Sequence, residues 1–188
     1  MSEFIQAYYQ IFLTAHILTI VVGLGAATVS DILFFRFLQD FKVDASEFKV
    51  LGMLKNIIMV SIICIIITGF LLYISDVAGF NASPAFLLKS FIVLTIFING
   101  IALHMWVAPR LLQLDLTKHD PAHTRYRILA FGLGAISVVS WYSAFLLAML
   151  KRYVSFTLTQ GLAAFVVLLV VSILGSQLVG WWLSKKAG

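Results

Sequence analysis

Five long apolar runs decide what this chain can fold into: residues 8–35, 54–75, 85–108, 128–150 and 158–183. A helix of about 20 apolar residues crosses a bilayer's hydrocarbon core, and every run reaches that length. Lipid offers backbone N–H and C=O groups no water to bond, so runs of this kind must satisfy themselves as helices. Of all residues 62% are apolar and 11% charged, against about 45–50% and about 25% in soluble domains. Too few charges remain to clothe a water-facing surface, which excludes soluble enzymes, nucleic-acid binders and disordered regulators. The sequence predicts an all-α fold, a polytopic membrane helical bundle of five transmembrane helices, with residues 1–188 as a single domain.

The punctuation between the runs is orderly. Ser83 is a good N-cap ahead of Pro84, which suits the first turn of the third span. Pro109 follows that span and is expected to stop or kink it. Asp44-Ala-Ser-Glu47 has the form of a capping box, predicting a helix that starts there and runs on into the second span. Asp120-Pro121 opens the segment leading into the fourth. Cys64 lies inside an apolar run as a small packing residue, and no Lys or Arg precedes the first run, which argues against a cleaved signal peptide.

The net charge of +5 comes from basic residues at the edges of the apolar runs, where it reads as a topology signal and not as a nucleic-acid footprint. Arg36, Lys42, Lys49, Lys55, Arg110, Lys118, Arg125, Arg127, Lys185 and Lys186 fall on one side, and Lys89, Lys151 and Arg152 on the other. Ten against three predicts an outside N-terminus and a cytoplasmic C-terminus, in a bacterial-type inner (plasma) membrane. Tyr8, Tyr9, Tyr73 and Tyr153 mark the outer boundary; Phe34, Phe35, Trp181 and Trp182 mark the inner one.

Ionisable groups at membrane depth are few, and each needs a reason, because each is costly there. His16 and Lys89 fall in the outer half of spans one and three, roughly 8 Å and 12 Å from the midplane at 1.5 Å per residue. His104 falls about 10 Å inward, so the two histidines should stand about 18 Å apart along the membrane normal and serve separate sites. Asp31, Asn99 and Gln177 join His104 as a second, inner cluster. The small residues Gly23, Gly25, Ala26, Ala27, Gly132, Gly134, Gly175, Ser176 and Gly180 allow close helix packing.

Neutral imidazole is a strong ligand for heme iron, and a cation in the same leaflet can neutralise a propionate. His16 with Lys89 fits that division of labour, and His104 with Arg110 or Arg36 would make a comparable inner site. Ser137, Ser140, Trp141 and Tyr142 are placed to line the outer pocket. The competing expectation for each histidine is a hydrogen bond to a hydroxyl or carbonyl of a neighbouring helix, and for Lys89 a snorkelling ammonium. His119 and His123 sit with Asp120 in a cytoplasmic loop, read as solvated, with a weak metal site as the alternative. The chain lacks Cys-x-x-Cys, Cys-x-x-Cys-His, phosphate-loop, His-Glu-x-x-His and Gly-x-Ser-x-Gly motifs.

In order, Ala15-His16-Ile17, Phe34-Phe35-Arg36, Gly69-Phe70-Leu71-Leu72-Tyr73, Leu88-Lys89-Ser90, His104 and Pro109-Arg110-Leu111 resemble small heme-handling membrane families: the heme-containing protoporphyrinogen oxidase family and the copper-resistance D family. The resemblance covers about the first 150 residues and implies a ligand at His16, a functional Lys89 and a b-type heme or related metal cofactor. The fifth span and the long interval from Lys89 to His104 depart from the oxidase pattern, and the porphyrinogen reaction is not carried over.

The expectation is therefore an integral membrane b-type heme protein for electron transfer or a related redox step. His16 and His104 are its metal ligands, and Lys89 and Trp141 lie among the cofactor-binding residues. The alternatives are a proton or metal transporter, or an accessory subunit of a larger membrane complex without its own chemistry. The partners expected are the lipid bilayer, with a second copy or a larger complex where five helices do not close a pocket alone, and no nucleic acid.

Overall fold

The computed structural model describes residues 2–37, 44–111, 121–150 and 153–186, and among these there is no strand. The elements are α1 (Ser2–Ala7), α2 (Tyr9–Phe37), α3 (Ala45–Ser75), α4 (Val77–Asn81), α5 (Pro84–Ala102), a π-helical turn (Leu103–Val107), α6 (Ala108–Leu111), α7 (Pro121–Leu150) and α8 (Leu158–Lys186). Five stretches are long and apolar enough to cross a membrane: Tyr9–Phe34, Ala45–Ser75, Pro84–Arg110, Thr124–Leu150 and Leu158–Trp182. The protein is a multi-pass membrane helical bundle. Lys42, Lys118, His119, Asp120, Lys151 and Arg152 lie outside the described residues.

Local chemistry sets the helix starts. The Asp44 side chain accepts from the Glu47 backbone N–H at 2.8 Å while the Glu47 carboxylate accepts from the Asp44 N–H at 3.0 Å, closing the predicted box. Ser83 Oγ accepts from the Phe86 N–H at 3.3 Å with Pro84 at the first helical position. Thr157 and Gln160 form the same reciprocal pair ahead of α8.

Pro109 does not stop its helix. The chain widens instead into the π turn, where the Ala108 N–H reaches back five residues to the Leu103 carbonyl, and then continues as α6. Pro109 has no N–H to give the carbonyl four residues before it, and its ring crowds that carbonyl. A wider turn relieves the crowding, and Arg110 Nη1 donates to the Trp106 carbonyl at 3.0 Å.

The most extensive helix contact is the α2–α3 hairpin, and α7 packs against α5 and α8 and also touches α2. One core joins them: Ala27 of α2, Ile62 and Ile65 of α3, Leu88, Ile92 and Ile96 of α5, Trp141 of α7 and Phe165 of α8. Between helices in lipid the hydrophobic effect gives little drive, so association rests on close packing and interhelical hydrogen bonds. Gly23 illustrates this. A Cβ there would lie 2.8 Å from Trp141 Cη2 and 3.0 Å from Ser61 Cβ, so only a glycine lets α2 approach both α3 and α7 at that level.

Candidate functional site

His16, 9% exposed, faces α3. Thr68 Oγ1 donates to the Cys64 carbonyl at 2.6 Å, which commits the hydroxyl proton. The 2.8 Å contact between Thr68 Oγ1 and His16 Nδ1 therefore has the imidazole as donor, and Nε2 keeps the ring's lone pair. The hydrogen bond to a neighbouring hydroxyl, the competing expectation for a buried histidine, is what Nδ1 makes.

The opposite end of the bundle holds a cavity of about 330 Å³ between α2, α3, α5, the π turn and α7. Its inner wall is buried and mostly apolar, with Ile62, Ile96 and Trp141 at the packed end. The same lining carries ionisable groups: half-buried Asp31 and Lys55, and exposed His104 on the π turn. The lining thus brings one carboxylate, one ammonium and one imidazole to an otherwise largely apolar wall. Pockets of this volume, apolar with a few convergent polar groups, are the usual form of small-molecule sites.

Asn99 belongs to the same wall and is 6% exposed. Its Nδ2 donates to the Leu133 carbonyl at 3.1 Å, tying α5 to α7, and its Oδ1 is buried without a partner. A buried amide oxygen left unpaired costs about 1–3 kcal/mol, and such exceptions call for a reason. Asp31 and Lys55 line this cavity without forming an ion pair with each other among the described residues.

The expected inner cluster is therefore assembled in part. Asp31, Asn99 and His104 share the cavity, whereas Gln177 lies elsewhere and donates from Nε2 to the Ile128 carbonyl at 3.1 Å. Ser137 and Trp141 line this same cavity, which His16 does not. Tyr142 meets Thr28 Oγ1 at 3.1 Å, and Ser140 is wholly buried with its Oγ unpartnered. His16 and His104 do not share the cavity, in keeping with the depth argument. Among the described residues no three His, Cys, Asp or Glu side chains converge as a metal cluster; His119, and the side chain of His123, lie outside those residues.

Lys55 is the residue the sequence reading missed, having been counted only as a topology charge. The signal was present: a helix capped at Asp44 puts Lys55 about three turns inside α3, at the edge of the apolar run. No protein-family model matches the chain, and no curated protein and no solved structure matches it either.

Proposed function

We propose that the protein binds a small amphipathic molecule within the membrane, in the cavity between α2, α3, α5 and α7. The observation that carries this reading is the lining itself: a largely apolar chamber whose wall also holds Asp31, Lys55 and His104. An apolar body fits the chamber, and a polar head meets the ionisable groups. Ten Lys and Arg against three favour a cytoplasmic opening, with the N-terminus outside, in an inner (plasma) membrane.

The test uses the purified full-length protein and native mass spectrometry for a retained small molecule. Gly134 lines the cavity, and an added Cβ there meets nothing within 4 Å. Gly134→Leu should fill the chamber without disturbing the fold and should release the molecule. Retention of that molecule by a folded Gly134→Leu protein would overturn the reading.

One observation favours a second reading, a b-type heme serving a redox step: His104 stands on the wall of the same cavity. Were a heme bound there, His104 would be the residue to hold its iron and Lys55 the cation to neutralise a propionate. The other candidate ligand, His16, presents Nε2 with its Nδ1–H already held, the arrangement that orients a metal-binding imidazole. A visible spectrum of protein produced with ample heme decides this: a Soret band lost in His104→Ala supports the cavity site, one lost in His16→Ala the other end, and a colourless preparation removes heme.

A further inference from the structure

We infer that the molecule taken by the cavity is a small zwitterion with an apolar side chain, of the class of the aliphatic and aromatic α-amino acids. This inference rests on the cavity being a small-molecule site and narrows what the site selects.

The argument starts from two charges that share a wall and are not spent on each other. Asp31 comes from α2 and Lys55 from α3, the helix pair with the most extensive mutual contact, yet they form no ion pair with each other among the described residues. Ionisable groups at the edge of a bilayer are costly and are usually offset by mutual pairing or a functional partner. A site that holds a carboxylate and an ammonium apart is complementary to a ligand carrying both charges in the opposite sense. The ligand's ammonium meets Asp31 and its carboxylate meets Lys55.

Ligands with other charge patterns fit less well. A simple anion satisfies Lys55 but sits against Asp31, and a simple cation does the reverse. A neutral apolar molecule fills the chamber and leaves both charges without a partner, at the desolvation cost of each. Only a molecule with both charges satisfies the two. The apolar lining, with Ile62, Ile96 and Trp141, then takes a branched or aromatic side chain. Its volume of about 330 Å³ lies at the small end of the ligand-pocket range of about 300–1,000 Å³, as a ligand of amino-acid size requires.

The experiment measures binding of L-leucine and L-phenylalanine to the detergent-purified full-length protein by calorimetry and by thermal shift. The matched probes are 4-methylpentanoate, which lacks the amine, and 3-methylbutylamine, which lacks the carboxylate. The expected result is saturable binding of at least one amino acid, with each truncated probe weaker by about thirtyfold or more, the loss typical of one missing partner in a desolvated charge pair. Asp31→Asn and Lys55→Gln should each abolish amino-acid binding while keeping the unliganded melting temperature of the wild type. Should either variant melt early, Gly134→Leu, which blocks the chamber without touching a charge, serves as the folded non-binding control.

Equal binding of the zwitterion and a truncated probe, or amino-acid binding unaffected by both charge substitutions, overturns the inference. So does a wild-type protein that binds neither amino acid. In that last case a different molecule released by Gly134→Leu would leave the cavity reading standing and only the zwitterion assignment lost. The absence of any retained or added ligand would remove both.

Discussion

The His16 imidazole lies over Gly69: its Cε1 is 3.3 Å and its Nδ1 3.9 Å from where a side-chain carbon on that glycine would stand. The ring fills the space that a Cβ would take, and Thr68, one residue earlier, holds it there by hydrogen bond. α2 and α3 are thus keyed together by an imidazole, a hydroxyl and a missing side chain.

Gly69→Ala should therefore force the ring to shift by a few tenths of an ångström and weaken the bond to Thr68, at a cost of about 1–2 kcal/mol. The better helix propensity of alanine, about 1 kcal/mol, enters equally with or without the ring. A double-mutant cycle with His16→Ala isolates the contact. Reversible unfolding in mixed micelles should show Gly69→Ala to be less costly in the His16→Ala background. Thr68→Val should cost about 0.6–1.7 kcal/mol, the range for such bonds in membrane bundles. Strict additivity would mean that the imidazole is not seated on Gly69.

Trp141 and Gly23 make the matching contact between α2 and α7. With a Cβ only 2.8 Å from the indole, Gly23→Ala overpacks the bundle and should lower stability by about 1–3 kcal/mol. Trp141→Phe in the same background removes the colliding ring edge and should recover part of the loss, as read by the thermal midpoint of helical circular dichroism. No recovery would place the collision elsewhere, with Ser61 the next nearest neighbour at 3.0 Å.

These contacts explain how much of the molecule was legible beforehand. The spans were visible because bilayer thickness fixes helix length, and the starts at Asp44 and Ser83 because capping is local chemistry. Helix faces were not. A helix that is apolar on every side carries no amphipathic stripe to say which residues meet protein and which meet lipid. Asp31 and His104 were recognised as inner groups, but Lys55 became their neighbour only once the α2–α3 hairpin and the π turn set the faces. The π turn itself follows from the missing N–H of Pro109, and the sequence alone does not say whether a helix answers such a gap by ending, kinking or widening.

Asn99 should separate stability from binding. Asn99→Leu removes the amide whose Oδ1 is buried without a partner, together with one bond to a Leu133 carbonyl that lies within the α7 ladder. Replacing a half-satisfied amide by an apolar group of similar shape is close to neutral or stabilising. The melting temperature should match or exceed that of the wild type, while retention of the cavity molecule falls. A clear loss of stability with retention unchanged would make Asn99 a purely structural tie between α5 and α7.

The start of α3 gives a pH dependence with a defined sign. Hydrogen bonds from the Glu47 backbone N–H and from Ser46 hold the Asp44 carboxyl below the usual carboxylate range. A group depressed on folding adds stability that is fully present above its unfolded value of 3.8 and is lost as pH falls through the lower folded value. Asp44→Asn keeps a neutral cap that does not titrate. The difference in melting temperature between wild type and Asp44→Asn should be constant near neutral pH and shrink in acid. A difference that grows in acid would contradict the capping box.

Orientation can be settled by thiol labelling. The protein has one cysteine, Cys64, on α3, and Cys64→Ser clears the background. Ser155 lies just before α8 at the end of the bundle away from the cavity opening, and Lys49 is exposed in the first turns of α3 at the opposite end. An outside N-terminus puts Ser155→Cys within reach of a membrane-impermeant maleimide added to intact cells, and hides Lys49→Cys until the cells are broken. The Lys and Arg bias of ten against three favours this outcome. The reverse pattern would turn the end of the bundle that holds the cavity with Asp31, Lys55 and His104 toward the outside, and the molecule bound there would have to be sought among extracellular solutes and not in the cytoplasm.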